Sequence, residues 1–188
     1  MLKKQNIIIA VCVSAVMVSL EIVLNRFCSI NTMGLKIGFA FIPPTFAAIL
    51  LGPAWGAAVY AVSDLLGALL FPIGPYHPGF TVCAALMGVC AGLFLSSNPV
   101  NAGRISFFCN ILPCVLINCI VIGLFINTAW VSMLYGKKTY FGWFLYRLSE
   151  YAVLIPVQLI IIPILIGIAG RLKKSGLLPG GFKEENDI

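Results

Sequence analysis

Six charged side chains lie within or at the edge of long apolar segments of this sequence, where ionisable groups are rare. They are Glu21, Arg26, Lys36, Asp64, Arg147 and Glu150. A charge in an apolar medium is costly unless it is paired or hydrated, so each is a candidate for binding a polar solute. Arg147, Glu150 and Tyr151 share a helix face by their spacing, and that face would border a polar cavity. The alternative is charge neutralisation alone. Arg147 would then pair with Glu150. Asp64 would pair with Lys36.

Aromatic side chains accompany these charges in or directly after two polar segments, 72–79 and 127–144. The candidate rings are Tyr76, His77, Phe80, Trp130, Tyr140 and Trp143. Three prolines stiffen 72–79, which preorganises rings that could stack on a flat heterocycle. Rings combined with cations suit a planar acid as the ligand. The alternative is a belt of aromatic residues at the membrane interface.

Signals for catalysis and for metal binding are weak. The seven cysteines include no C-x-x-C pair, and His77 is the one histidine, so neither a disulfide framework nor a metal site is predicted. The sequence also lacks the G-x-x-x-x-G-K, G-x-S-x-G and H-E-x-x-H motifs. We therefore expect no catalytic residues, no cofactor and no metal.

Composition determines which elements must position these residues. Hydrophobic residues make up 61% of the 188 residues and charged residues 10%, with a mean hydropathy of +1.05. Such a chain is too apolar for a soluble core, and each membrane crossing needs roughly 20 apolar residues. The prediction is an all-α integral membrane protein, a compact single-domain bundle of six transmembrane helices. The predicted spans are about 7–24, 37–51, 54–71, 80–95, 105–126 and 145–169, followed by a polar tail at 175–188.

The distribution of basic residues predicts the orientation of this bundle. With six spans both termini lie on one side, and the positive-inside bias makes that side the cytoplasm. The basic residues on that side would be Lys3, Lys4, Arg104, Arg171, Lys173 and Lys174. Cations on the opposite side would attract an anionic solute.

Prolines and small residues predict how the spans pack. Pro43 and Pro44 make the second span short and broken, so it should border protein or a cavity rather than lipid. Ala84, Gly88 and Gly92 form a ridge of small residues that favours close helix packing. Ala10 and Ser14 form a similar pair on the first span, which suits either a partner helix or ordinary packing within the bundle.

The sequence from 35 to 86 carries a resemblance to a known family. This run reads LKIGFAFIPPTFAAILLGPAWGAAVYAVSDLLGALLFPIGPYHPGFTVCAAL. It resembles the substrate-binding S-components of energy-coupling factor (ECF) vitamin transporters, and among these the folate-specific members. The likeness extends more weakly to both ends and covers most of the chain.

The resemblance implies a non-enzymatic transporter subunit in the bacterial cell membrane. Such a subunit binds folate or a reduced folate outside the cell and docks on a transmembrane coupling protein that two ATPase subunits drive. Loops corresponding to 25–36, 72–79 and 127–144 would cover the substrate. Ala10 and Ser14 would correspond to the family's small-residue docking pattern.

A binding mode follows as a hypothesis from these residues and the resemblance. Cations would hold the glutamate carboxylates of folate, Arg26 first and Lys36 or Arg147 next, because guanidinium groups fit carboxylates. The pterin would stack among the loop aromatics. Tyr151 is a further candidate for contacting the substrate, on the helix face that it shares with Arg147 and Glu150. Asp64 or Glu150 would accept hydrogen bonds from its amino-pyrimidine edge.

Two other hypotheses are compatible with the sequence, one of which covers two kinds of protein. The same scaffold could bind another water-soluble vitamin or a related small molecule, because cavity residues change while the frame persists. The chain could also be a small membrane-embedded enzyme, or a structural bundle with internal ion pairs. Association with ATPase subunits would favour a transporter, and turnover by the isolated chain would favour an enzyme.

Overall fold

A computed structural model describes residues 2–32, 35–72, 74–96, 107–135 and 139–174. The fold is all-α apart from one short hairpin. Its helices are α1 (Leu2–Arg26), α2 (Ile42–Leu51), α3 (Pro53–Leu70), α4 (Pro78–Leu95), α5 (107–135) and α6 (Tyr140–Lys174). The predicted tail at 175–188 lies outside the described residues.

A two-stranded hairpin connects α1 to α2, which the sequence did not predict. Strand β1 (Ile30–Thr32) pairs antiparallel with β2 (Leu35–Ile37), and Asn31 lies opposite Lys36. A ring contact places the end of α3 beside this connection, because Phe27 lies 5.5 Å from Phe71 between ring centroids. We call this side of the molecule the hairpin end.

Helix α2 is short because its sequence begins and ends with helix-breaking residues. Pro43 and Pro44 occupy the first turn, where a missing N–H leaves no helical hydrogen bond unmade. Gly52 ends the helix with a φ of 90°, a conformation that favours glycine, and Pro53 then starts α3. Most of α2 is buried, as expected for a span that borders protein rather than lipid.

Helices α3 and α4 cross closely because glycines face each other. A Cβ atom added at Gly88 would lie 2.5 Å from the Gly56 carbonyl oxygen, and one added at Gly92 would collide with Pro53. No side chain larger than hydrogen fits at Gly88 without moving a backbone. The small-residue ridge predicted on this span therefore serves packing within the chain.

Helix α5 contains wide turns and is longer than expected. It runs through four consecutive stretches, Phe107–Ile111, Leu112–Leu116, Ile117–Ile126 and Asn127–Tyr135, of which the first and third are π-helical. The expectation of a loop over 127–144 was wrong for 127–135 and for 140–144, because both stretches are helical. Only 136–139 separate this helix from α6, and of these residues the structure describes Thr139 alone.

Within the described ranges, five helices are long and apolar enough to cross a membrane. They are Ile7–Arg26, Pro53–Leu70, Pro78–Leu95, Phe108–Tyr135 and Tyr140–Lys173. Helix α2 is apolar but has only 10 residues, about 15 Å of helix. The fold is thus that of an all-α, multi-pass membrane protein.

At the end opposite the hairpin, Lys173 Nζ donates to the carbonyl oxygens of Ile49 (3.1 Å) and Ser96 (3.5 Å), which joins α6 to the ends of α2 and α4.

Candidate functional site

A cavity of about 200 Å³ lies among α1–α6. Two of its lining residues, Ser29 and Gly38, directly flank the hairpin in the sequence. Its lining residues are Glu21, Ser29, Gly38, Ala40, Phe41, Thr45, Tyr60, Met87, Ala91, Leu95, Cys114, Asn118, Cys119, Tyr151, Leu154, Gln158 and Ile162. We call this space the inner cavity. Most of its wall is apolar, as in sites that bind a largely apolar ring system.

Polar groups in the inner cavity come from α1, α5 and α6. Glu21 on α1 is 7% exposed and accepts a hydrogen bond from Asn25 Nδ2 one turn later. Asn118 on α5 donates to the Met87 carbonyl (3.4 Å), while its Oδ1 is buried and has no partner among the described residues. Gln158 on α6 accepts from the Cys119 thiol at 3.5 Å. Amide and carboxylate groups thus line an otherwise apolar space.

A hydroxyl pair adds a fourth polar feature to the inner cavity. Thr45 on α2 and Tyr60 on α3 are 2.7 Å apart between their oxygens. One hydroxyl must donate to the other, so one hydroxyl hydrogen of the pair is left for a ligand or another acceptor. The cavity can therefore both donate and accept hydrogen bonds.

The wide turns of α5 carry two of the lining residues. Asn118 and Cys119 lie in the π-helical stretch Ile117–Ile126. A π-helical turn holds an extra residue per hydrogen-bonded ring and is frequent at functional sites. The unusual helix geometry and the inner cavity therefore coincide in this protein.

Arg147 lies at the centre of a buried polar cluster between α5 and α6. Its side chain is about as buried as that of Glu150, with which it forms an ion pair of 3.4 Å between Nε and Oε2. Its two terminal nitrogens donate to Thr128 Oγ1 (3.3 Å) and to the Tyr151 hydroxyl (2.9 Å). Arg147 therefore touches the inner cavity only through Tyr151, which is one of the lining residues.

A relay of hydrogen bonds holds the 74–77 segment onto α3. Thr81 Oγ1 donates to Asp64 Oδ2 at 2.8 Å, and the Tyr76 hydroxyl is 2.7 Å from Thr81 Oγ1. Because the Thr81 hydrogen is directed at the carboxylate, Tyr76 is the donor to Thr81. Asp64 is not among the lining residues, and its observed contact is with this loop.

The stacked rings of His77 and Trp130 connect the start of α4 to α5. Their rings stack with centroids 4.7 Å apart and an interplanar angle of 22°. His77 also caps α4, because its Nδ1 accepts from the Gly79 N–H at 3.0 Å. A Cβ at Gly79 would lie 2.5 Å from Trp130 Cε2, so this contact depends on glycine at position 79.

Arg26 lies against α3 near the same end. A Cβ atom at Gly67 would come within 3.1 Å of Arg26 Nη2. The Nε of Arg26 is buried without a hydrogen-bond partner among the described residues. Arg26 is half-buried, and a guanidinium with one buried, unused donor is suited to binding an anionic group of a ligand.

The other predicted aromatic residues surround this region. Trp143 is buried and lies 5.7 Å from Tyr135 between ring centroids. Tyr140 is partly exposed and donates to the Phe125 carbonyl at 3.2 Å. Phe80 is half-buried on α4. The Lys36 side chain lies outside the described part of the chain.

Comparison with known proteins places this architecture in a family. The family model described as "ECF-type riboflavin transporter, S component" matches residues 5–173. This chain belongs to the family of ECF-type transporter S components. The resemblance identified from the sequence is thereby confirmed, and the chain is a transporter subunit rather than an enzyme.

Relatives of this S component are named for a different vitamin. The protein "Folate transporter FolT" of Clostridium novyi (strain NT) is 37% identical over 161 residues, which cover 86% of this chain and 88% of the relative. A protein of the same name from Leuconostoc mesenteroides subsp. mesenteroides is 24% identical over 156 residues, 82% of this chain and 79% of that one. A solved structure, "Crystal structure of FolT bound with folic acid", matches with a TM-score of 0.73 and 30% identity, covering 82% of this chain and 89% of that chain.

The structure separates the predicted site residues of this S component into two groups. Among the predicted site residues whose side chains are described, Tyr151 is the one that lines the inner cavity. The others with described side chains form a layer toward the hairpin end, which we call the shell: Arg26, Asp64, Tyr76, His77, Phe80, Trp130, Tyr140, Trp143, Arg147 and Glu150. Of the two acids expected at the pterin edge, Asp64 contacts Thr81 and Glu150 contacts Arg147.

Sequence reasoning missed several polar residues of the inner cavity. Glu21 was a candidate for binding a polar solute, but no contact with the ligand was assigned to it. Thr45, Tyr60, Asn118 and Gln158 were not singled out as site residues. The sequence does contain a signal for Glu21, since an acidic residue on an apolar span is unusual. The other four are residue types that also occur in ordinary helix packing.

The small-residue pair on α1 faces inward in this S component. Ala10 is 1% exposed and belongs to the main hydrophobic core, and Ser14 is 8% exposed. The chain's own helices cover this face, which corresponds to ordinary packing within the bundle. A partner protein could reach Ala10 and Ser14 only after α1 moved away from the core.

Proposed function

We propose that this S component captures folate or a reduced folate outside the bacterial cell. It would deliver the vitamin inward after docking on a transmembrane coupling protein with two ATPase subunits. The observation that carries this proposal is the inner cavity, whose apolar walls and few directed polar groups suit a flat heterocycle. The 37% identical relative named Folate transporter FolT supports the choice of folate.

The shell would bind the acidic part of the ligand. Arg26 has an unused buried donor, and a guanidinium matches a carboxylate in two hydrogen bonds. We assign the first glutamate carboxylate of folate to Arg26 and the second to Lys36, with Arg147 as the next cation. The shell aromatics would cover the pterin and the ring that follows it: Tyr76, His77, Phe80, Trp130, Tyr140 and Trp143.

Cavity size implies that the shell moves when the ligand enters. Sites for whole drug-sized molecules have roughly 300–1,000 Å³, while the inner cavity has about 200 Å³. The cavity therefore takes one part of folate, and the remainder would extend toward the hairpin end. The 74–77 segment and the hairpin are the segments nearest to that path, so we propose that they open for entry.

We propose a six-crossing topology with both termini in the cytoplasm. Helix α2, extended by the residues before it, would make the second crossing, since irregular backbone is tolerated where protein buries it. The Lys173 contacts with Ile49 and Ser96 support this arrangement, because they join the ends of α2, α4 and α6 on one side. Basic residues near both termini favour the cytoplasm for that side.

Titration of the purified, detergent-solubilised chain with folic acid would test the proposed substrate. Trp130 and Trp143 lie in the shell, so bound pterin should quench tryptophan fluorescence. We expect saturable quenching with folic acid and none with thiamine. A folded sample that gives no saturable signal with folic acid would refute folate as the substrate while leaving the family assignment intact.

Riboflavin is the second candidate substrate, because the matching family model is described by that vitamin. The same titration distinguishes the two. Saturable binding of riboflavin at concentrations where folic acid has no effect would favour riboflavin. Copurification with ATPase subunits is expected in either case.

A further inference from the structure

We propose that Glu21 makes the inner cavity select a pterin over a flavin. This inference rests on the proposed function, since it concerns which heterocycle enters the same cavity. A pterin presents a 2-amino-4-oxopyrimidine edge, whereas a flavin presents a 2,4-dioxopyrimidine edge. The two rings are similarly flat and apolar on their faces, so the walls of the cavity cannot separate them as strongly as a hydrogen-bonding group can.

Glu21 is held in the cavity by its own helix. Asn25 Nδ2 donates to Glu21 Oε1, and the Asn25 carbonyl accepts from the Ser29 hydroxyl at the start of the hairpin connection. A carboxylate offers about four acceptor positions, so it can accept from more than one donor at the same time. The Glu21 side chain is therefore oriented by α1 in the wall of the inner cavity.

The donor pattern of the pterin edge matches this carboxylate. Its N3–H and 2-amino group are two adjacent donors, which can reach the two oxygens of one carboxylate in parallel charge-assisted hydrogen bonds. The flavin edge places a carbonyl oxygen on each side of its N3–H. At least one of those oxygens would face the carboxylate, which has no hydrogen to donate.

Other polar groups of the cavity are less selective between the two edges. Asn118 and Gln158 carry amides, and an amide both donates and accepts. The Thr45 and Tyr60 pair likewise contains hydroxyls that can do either. Among the described residues that line the cavity, Glu21 is the one that is limited to accepting while ionised. Discrimination against a 2-oxo group is thus assigned to Glu21.

A matched pair of ligands tests this assignment. The pair is folic acid and its analogue with oxygen in place of the 2-amino group, so both keep the acidic tail. We expect the unmodified protein to bind folic acid roughly 10- to 100-fold more tightly than the 2-oxo analogue. Glu21→Gln should lower the affinity for folic acid and abolish this preference, because the glutamine amide can donate to the 2-oxo group.

Two further variants separate selectivity from damage to the fold. Glu21→Asp keeps a carboxylate and should keep the preference for folic acid. Ser19→Ala changes a hydroxyl on α1 that bonds to the Ala15 carbonyl, and it should leave both affinities unchanged. Binding of the 2-oxo analogue by Glu21→Gln is a positive signal that also reports a folded cavity.

Three outcomes would overturn the assignment. They are an undiminished preference in Glu21→Gln, an equal loss of both ligands in that variant, and no preference in the unmodified protein. Each of them can occur while folic acid still binds, which leaves the proposed function in place. Failure of the unmodified protein to bind folic acid, with saturable binding of riboflavin, would instead refute the proposed function.

Discussion

The shell and the inner cavity both contain polar side chains within an apolar chain, but these side chains are used differently. In the shell, Arg147 contacts Glu150, Thr128 and Tyr151. In the inner cavity, Asn118 presents an oxygen that has no partner among the described residues. Buried polar groups that satisfy one another stabilise a fold, whereas a group without a partner is available to a ligand. The most conspicuous charges are thus partly structural.

The first prediction tests the structural role of the shell at its centre. Arg147→Ala removes one partner of the buried Arg147–Glu150 ion pair. Breaking such a pair costs about 3–5 kcal/mol, so we expect a large drop in the thermal unfolding temperature of the detergent-solubilised protein. Arg171→Ala is the matched control, because Arg171 lies on the same helix and is exposed. Equal effects of the two variants would show that the Arg147 cluster is not structural.

The second prediction concerns Arg26, the shell residue whose Nε has no hydrogen-bond partner among the described residues. Arg26→Ala should lower the affinity for folic acid by about 10- to 100-fold, which corresponds to the loss of a charge-assisted hydrogen bond. The affinity for a pterin without the glutamate tail should fall much less, because Arg26 is assigned to the carboxylate. Fluorescence titration of both ligands gives the comparison. An equal loss of affinity for the two ligands would show that Arg26 does not bind the carboxylate. The shell would then not be the part of the site that binds the acidic tail.

The third prediction tests the cavity. Asn118→Leu removes a carbonyl oxygen without a partner and one long hydrogen bond to the Met87 carbonyl (3.4 Å), so the unfolding temperature should fall only slightly. Folic acid affinity should fall about five- to tenfold. Asn127→Leu is the control, since Asn127 lies on the same helix, also has a buried Oδ1 without a described partner, and does not line the cavity. A similar loss of affinity in both variants would contradict a specific role for Asn118.

The contrast between shell and cavity explains what the sequence could predict. Five of the six expected spans correspond to helices of spanning length, because long apolar runs have few other structures available. Shell residues were recognisable because Arg, Asp and Glu are rare in such runs. The burial of α2 also followed from Pro43 and Pro44.

The lining residues of the inner cavity could not be predicted from the sequence in the same way. Asn118 and Cys119 lie in π-helical turns, so the 3.6-residue period of an α-helix does not give the face they occupy. Gln158 and Thr45 carry no sign of which neighbour they face until the helices are packed. The same irregular α5 continues through Asn127–Tyr135, where the polar sequence had indicated a loop.

The smallest predicted effect belongs to Tyr76, at the outer edge of the shell. Tyr76→Phe removes a hydroxyl that donates to Thr81, but the side chain is 37% exposed, so water replaces part of the lost bond. We expect a loss of about 0.5–1 kcal/mol in the free energy of unfolding and at most a threefold change in folic acid affinity. Thr81→Val should cost more, because it also removes the donor to Asp64. If Tyr76→Phe instead weakened binding as much as Arg26→Ala, the tyrosine hydroxyl would contact the ligand directly, and the 74–77 segment would belong to the binding surface rather than to its cover.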